Sequence, residues 1–112
     1  MEVIPREIRN YLTTDGRNIF DEWFDSLRDK RAKGRIRTRL DRVEEGNLGD
    51  SQSVREGVFE LKIDYGSGYR LYFGQEDLSI IILLCGGDKS SQERDIRKAK
   101  QYWQDYQSRD DA

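Results

Sequence analysis

The feature that most limits what this chain can become is the stretch 57–91, GVFELKIDYGSGYRLYFGQEDLSIIILLCGGDKSS. Its first part alternates: Phe59, Leu61, Ile63 and Tyr65 point one way, and Glu60, Lys62 and Asp64 the other. A period of two is the mark of a half-buried strand. Gly66-Ser67-Gly68 reads as a hairpin connection. The strand from Tyr69 to Gly74 then places Tyr69, Leu71 and Phe73 on one side, Arg70 and Tyr72 on the other. Closing the loop with Tyr65 opposite Tyr69 sets Asp64 facing Arg70 and Lys62 facing Tyr72. The sheet is then expected to expose a ribbon of Glu60, Lys62, Asp64, Arg70 and Tyr72. Leu78 to Cys85 is an almost unbroken apolar run, which predicts a strand covered on both faces. It leads into the turn Gly86-Gly87-Asp88-Lys89.

The remaining elements follow from periodicity and punctuation. Glu2 to Leu12 predicts a strand, restricted early by Pro5. Asn18 and Asp21 open a helix with Ile19, Phe20, Trp23, Phe24 and Leu27 as its apolar stripe. A second helix, about 29–45, carries the thinner stripe Ala32, Ile36, Leu40 and Val43 and stops at Gly46. Residues 47–56 read as loop. Ser90 and Glu93 form a capping box that opens a last helix to about Tyr106, with Ile96, Ala99, Trp103 and Tyr106 on one face. That face suits the bare side of the apolar strand. The order is β-α-α-β-β-β-α: an α+β fold with a mainly antiparallel sheet, two N-terminal helices on one face and a C-terminal helix. Residues 1–106 make one domain and 107–112 a frayed tail. The second face is expected to be partly covered, leaving a concave polar patch.

Composition narrows the chemistry. Histidine is absent, which removes the commonest general base and metal ligand. The one cysteine, Cys85, excludes an intramolecular disulfide and reads as a small core residue. The first residues lack the apolar core of a signal peptide and no run reaches membrane-spanning length, so a cytoplasmic protein without membrane contact is expected. Net charge is −2, yet Arg28, Lys30, Arg31, Lys33, Arg35, Arg37, Arg39 and Arg42 crowd the second helix against Asp29 and Asp41. That run is either a solvated face or a surface for phosphate or an acidic partner.

The polar ribbon offers a place for a nucleic-acid phosphate. Arg70 can fork onto two phosphate oxygens, with Lys62 beside it and the backbone N–H groups near Asp88 to Ser91 at a helix start. Cleavage of RNA by its own 2′-hydroxyl needs a base, charge stabilisation and an acid. Lys62, Glu60, Asp64 or Asp88 can serve as base, and Lys89 or Tyr72 can protonate the leaving oxygen. Equally, Asp64–Arg70 can be a plain cross-strand ion pair and the 86–89 segment a plain turn.

The combination of FDEWFDSL, the basic second helix, SGYRLYF and ILLCGGDKSSQERDI resembles the RelE/ParE toxin superfamily, nearest its HigB-like addiction module killer branch. The resemblance implies a RelE-like fold and the toxin of a bacterial type II toxin–antitoxin pair. In its ribosome-associated members it implies a metal-independent mRNA endoribonuclease with no cofactor. Arg70 matches the phosphate-contacting arginine, and Lys62 the lysine of the preceding strand if the loop here is one residue longer. Asp88 and Lys89 match the acid/base segment, so the catalytic set is Lys62, Arg70, Asp88 and Lys89, with RNA contacts from Lys62, Arg70, Tyr72, Lys89 and Ser90. The implied partners are the ribosome with mRNA and a cognate helix-turn-helix antitoxin encoded next door, through which alone operator DNA is reached. The same superfamily also holds ParE-like gyrase inhibitors that cleave nothing, and an inactive antitoxin-binding domain is a third reading.

Overall fold

The computed structural model describes residues 4–110. In chain order these form β1 (Glu7–Asn10), α1 (Ile19–Ser26), α2 (Lys30–Glu44), β2 (Ser51–Ser53), β3 (Val58–Ile63), β4 (Tyr69–Asp77), β5 (Ile80–Gly87) and α3 (Gln92–Asp110), with a 3₁₀ turn at Lys89–Ser91. The strands make one mixed sheet in the order β1-β5-β4-β3-β2. β1 runs parallel to β5 and the other pairings are antiparallel. The architecture is α+β, with a five-stranded sheet and three α-helices among the described residues. Among those residues no helix is long and apolar enough to cross a membrane.

Local chemistry sets the helix ends. The Asn18 side chain accepts from the Asp21 N–H at 3.0 Å and starts α1. Asp29 accepts from the N–H groups of Arg31 and Ala32 and starts α2. Gly46, with φ +103°, follows the end of α2, and its N–H bonds the Val43 carbonyl at 2.9 Å.

Both sheet faces are covered. α1 and α2 lay Phe20, Phe24, Ile36 and Val43 against Leu61, Ile63, Leu71, Phe73, Ile81 and Leu83. α3 lays Ala99 and Trp103 against Val58, Tyr72, Ile82, Leu84 and Cys85, with Tyr11 in the same cluster. Successive residues of β4 and β5 therefore enter opposite cores, which is why that apolar run does not alternate.

The expected boundaries change in several places. β1 is confined to Glu7–Asn10, and the part of the expected strand at 2–3 lies outside the described residues. The stretch expected to be loop contains β2, a short polar edge strand without an apolar period to announce it. β5 begins two residues late, because Asp77 accepts from the Ser79 and Ile80 N–H groups and holds Leu78 in an exposed turn. α3 runs past Tyr106 to Asp110 rather than fraying from 107. Arg109 ties that end down: it donates to the Leu12 carbonyl at 2.8 Å, pairs with Asp105 and stacks on the Tyr11 ring. Residues 111–112 of the expected tail lie outside the described residues.

Candidate functional site

The register of β3 and β4 decides the site. Lys62 pairs with Arg70, Glu60 with Tyr72 and Ile63 with Tyr69. The expected pairings Asp64–Arg70 and Lys62–Tyr72 do not occur. The connection runs from Asp64 to Gly68 instead of three residues, folded by Tyr65 N–H to Ile63 O (2.9 Å) and Gly68 N–H to Tyr65 O (3.0 Å). Gly66 at φ +58° and Gly68 at φ +81° supply the left-handed backbone it needs. Two cations thus face each other, and the partner of Arg70 becomes the diagonal neighbour Glu60, with Nε 3.6 Å from Oε2.

The ribbon is not an exposed surface. α3 lies over it, leaving Glu60 and Tyr72 at 0% exposure and Arg70 at 9%, while Lys62 and Asp64 stay exposed. Glycines permit this close cover. A Cβ at Gly74 would stand 2.4 Å from the Trp103 ring, and one at Gly87 would stand 1.8 Å from the Asp95 carboxylate. On the opposite face, a Cβ at Gly86 would meet Trp23 at 2.4 Å. Gly86 and Gly87 are the buried end of β5 rather than a turn.

Beneath α3 the Glu60 carboxylate gathers three donors. Glu60 Oε2 accepts from the Tyr72 hydroxyl at 3.0 Å and from Gln92 Nε2 at 2.9 Å, and Oε1 accepts from Gln52 at 3.3 Å. Arg70 Nη1 donates to the Gly68 carbonyl at 3.0 Å, and its buried Nε has no hydrogen-bond partner. Burial first, and then Glu60, push the Tyr72 phenol far above its ordinary value. The expected roles of Tyr72 in RNA contact and proton donation are therefore corrected: its ring and hydroxyl are enclosed. Glu60, expected as a candidate base, is likewise enclosed and acts as a brace for Arg70.

The helix start also differs. Asp88, not Ser90, is the cap: Oδ1 accepts from the Ser90 N–H at 2.9 Å and the Ser90 hydroxyl at 2.6 Å. The Ser90 hydroxyl chiefly, with backbone N–H groups, holds the Asp88 carboxyl below its usual range. That commits Asp88 to the cap as a weakly basic carboxylate and takes up the Ser90 hydroxyl. Lys89 is exposed on the same turn. Gly68 adjoins both residues: its Cβ would fall 3.6 Å from Arg70 Nη1 and 3.9 Å from the Lys89 Cβ.

The structure thus brings exposed Lys62 and Lys89 and the nearly buried Arg70 to the hairpin end, and withdraws Tyr72, Asp88 and Ser90 into structural bonds. Lys62 and Asp64 also line a second feature, a groove of about 600 Å³ against α2, shared with Arg31, Gly34, Arg35, Thr38, Arg39 and Arg42. Gln52, Gln92 and Asp95 were not anticipated as part of the Arg70 surroundings. The available signal was the apolar strand: if α3 covers its second face, it also reaches the neighbouring positions of β4 and β3.

No protein-family model matches the chain. An uncharacterized protein of Haemophilus influenzae is 51% identical over 81 residues, which span 72% of this chain and 82% of that protein. The two belong to one family.

Proposed function

We propose, for a chain that shares a family with that Haemophilus influenzae protein, the role of toxin in a bacterial type II toxin–antitoxin pair, acting as a metal-independent, ribosome-dependent mRNA endoribonuclease. The α+β architecture, with its five-stranded mixed sheet, supports the reading that the sequence resemblance suggests. The observation that carries the reading is the cation cluster: Lys62 directly across from Arg70, Lys89 next to Gly68 at the same hairpin end, and Arg70 paired with a buried carboxylate.

In the proposed reaction the ribose 2′-oxygen bonds to the adjacent phosphorus and the bond from phosphorus to the 5′-oxygen breaks. The products are a 2′,3′-cyclic phosphate and a 5′-hydroxyl. Arg70, oriented before substrate arrives, stabilises the charge that builds on the phosphoryl oxygens. Exposed Asp64 or Lys62 takes the 2′ proton and Lys89 returns one to the leaving oxygen, while the ribosome holds the mRNA. The cytoplasm is the site of action. The neutralising partner is a helix-turn-helix antitoxin from the adjacent gene, which alone brings the complex to operator DNA.

The test is cleavage of mRNA on purified ribosomes. Arg70→Ala is expected to lower the rate about 10²- to 10³-fold, with the far-ultraviolet circular dichroism unchanged. Absence of cleavage at every codon by the unaltered protein overturns the reading.

A specific observation favours a second reading, a gyrase-inhibiting or inactive antitoxin-binding toxin relative. Tyr72 is enclosed and Asp88 is held in a cap, which leaves fewer groups for proton transfer. Inhibition of DNA supercoiling without RNA cleavage would select the gyrase reading.

A further inference from the structure

We propose that the groove between α2 and β3 is a track for the sugar–phosphate backbone of single-stranded RNA, distinct from the Arg70 cluster and joined to it through Lys62. The proposal rests on the toxin reading for the identity of the strand.

Three observations carry it. The first is uncompensated charge. Arg31, Arg35 and Arg39 recur every four residues, so they stack along one side of α2 with about 6 Å of rise per step. Together with Arg42 and Lys62 they set five cations against the single carboxylate of Asp64 in the groove lining, and among the described residues none of the five makes an ion pair. Like charges at that spacing work against the helix.

The second is Gly34. It stands in the helix interior, where glycine is less favourable than alanine. No neighbour explains it: nothing lies within 4 Å of the place its Cβ would occupy. It lowers the groove wall where a ribose or phosphate can approach the helix backbone. The third is Arg39, whose Nη1 donates to the Asn47 carbonyl at 3.2 Å while its Nη2 is buried with no hydrogen-bond partner. Burial first, and then the neighbouring Arg42, lower its pKa against the opposing pull of Asp50.

The lining favours nucleic acid over an acidic peptide. Peptide grooves draw affinity from apolar anchor pockets, and the apolar residue here, Ile63, is 6% exposed. A phosphate backbone needs only cations in series and an open path.

The test is fluorescence anisotropy with a labelled 2′-O-methyl oligouridine, which carries the backbone but cannot be cleaved. Replacing Arg31, Arg35 and Arg42 together with glutamine is expected to weaken binding about tenfold or more at low salt. It is also expected to flatten the slope of log affinity against log salt by about 2, from roughly 0.7 for each phosphate no longer neutralised. The control is Lys33→Gln with Arg37→Gln, whose cations sit over the Phe24 ring on another side of the same helix. It is expected to leave both quantities within about twofold. An equal effect in the control means diffuse charge and overturns the track. So does a wild-type protein that ignores the oligonucleotide and binds polyglutamate. A track that binds the oligonucleotide in a protein that cleaves nothing supports this inference while the nuclease reading fails. Melting curves check that the triple variant is folded, and relief of repulsion predicts a stability no lower than wild type.

Discussion

Glu60 and Lys62 are two residues apart on β3 and face the same side, yet they live in opposite worlds. Glu60 lies under α3, fully buried, with Tyr72, Gln92 and Gln52 donating to it and Arg70 beside it. Lys62 lies beyond the reach of α3, exposed at the mouth of a groove whose arginines have no carboxylate partner among the described residues. Where water is removed, each charge must be matched. Where water remains, like charges can gather at small cost and be kept for a ligand. The difference separates a structural brace from a binding surface, although both are written as alternating polar residues on one strand.

The sharpest way to break this comparison is to remove the buried carboxylate. Glu60→Ala leaves the Arg70 guanidinium buried without its anion and strands the Tyr72 hydroxyl and Gln92 amide, at a cost of about 3–5 kcal/mol. Glu60→Gln keeps the shape and one acceptor, and a smaller cost of about 1–3 kcal/mol is expected. Urea unfolding measures both. If Glu60→Ala leaves the midpoint where it was, the network is open to water and the contrast with the groove collapses.

A second comparison sets the two sheet faces against each other. Gly74 seats the Trp103 ring, which is 4% exposed, and Gly86 seats the half-buried Trp23. An added methyl meets either ring at 2.4 Å. Trp103 is hemmed in by α3 and stacked on Tyr106, so Gly74→Ala is expected to cost about 1–3 kcal/mol. Trp23 has room to shift toward solvent, and Gly86→Ala is expected to cost less than Gly74→Ala. Thermal melts of the two variants decide it, and the reverse order would place the tighter packing under α1.

Much of this was legible from residues. The period of two in 59–65 and the doubly apolar run after Leu78 implied β3, β5 and the need for a helix on each face. The stripe Ile96, Ala99, Trp103 implied the helix that covers the second face. The register was not legible, because a connection containing Gly66 and Gly68 closes at more than one length, and each length hands Arg70 a different neighbour. Nor was the depth of cover legible. The glycines at 74 and 87 spell a close approach only once Trp103 and Asp95, distant in sequence, are seen above them. The mixed-sign ribbon therefore read as surface, and Tyr72 as a reachable hydroxyl. The α2 arginines were visible as a run, but their division between a groove face and a Phe24 face needed coordinates.

The smallest predicted effect concerns what holds α3 down as a cover. The Tyr11 hydroxyl donates to Asp105 Oδ2 at 2.6 Å, and Arg109 pairs with that carboxylate and lies over the Tyr11 ring. Burial first, then the Asp105 contact, push the Tyr11 pKa up to about 12 from its ordinary 10. A raised folded pKa means the neutral phenol is the form the fold prefers. Its contribution is fully present below about pH 10 and is lost as pH climbs through about 12. Asp105 shifts the other way, lowered chiefly by the Tyr11 hydroxyl, so its contribution is present above about pH 4 and is lost on acidification. Tyr11→Phe should therefore cost about 1 kcal/mol at neutral pH, and the gap from wild type should close between about pH 10 and 12. Denaturation curves of both proteins across that window read the gap directly, without interference from the other tyrosines they share. A gap that stays constant with pH would mean the hydroxyl is not tied to Asp105, leaving α3 to be held over Glu60 by its apolar face and by the Arg109 and Gln92 contacts.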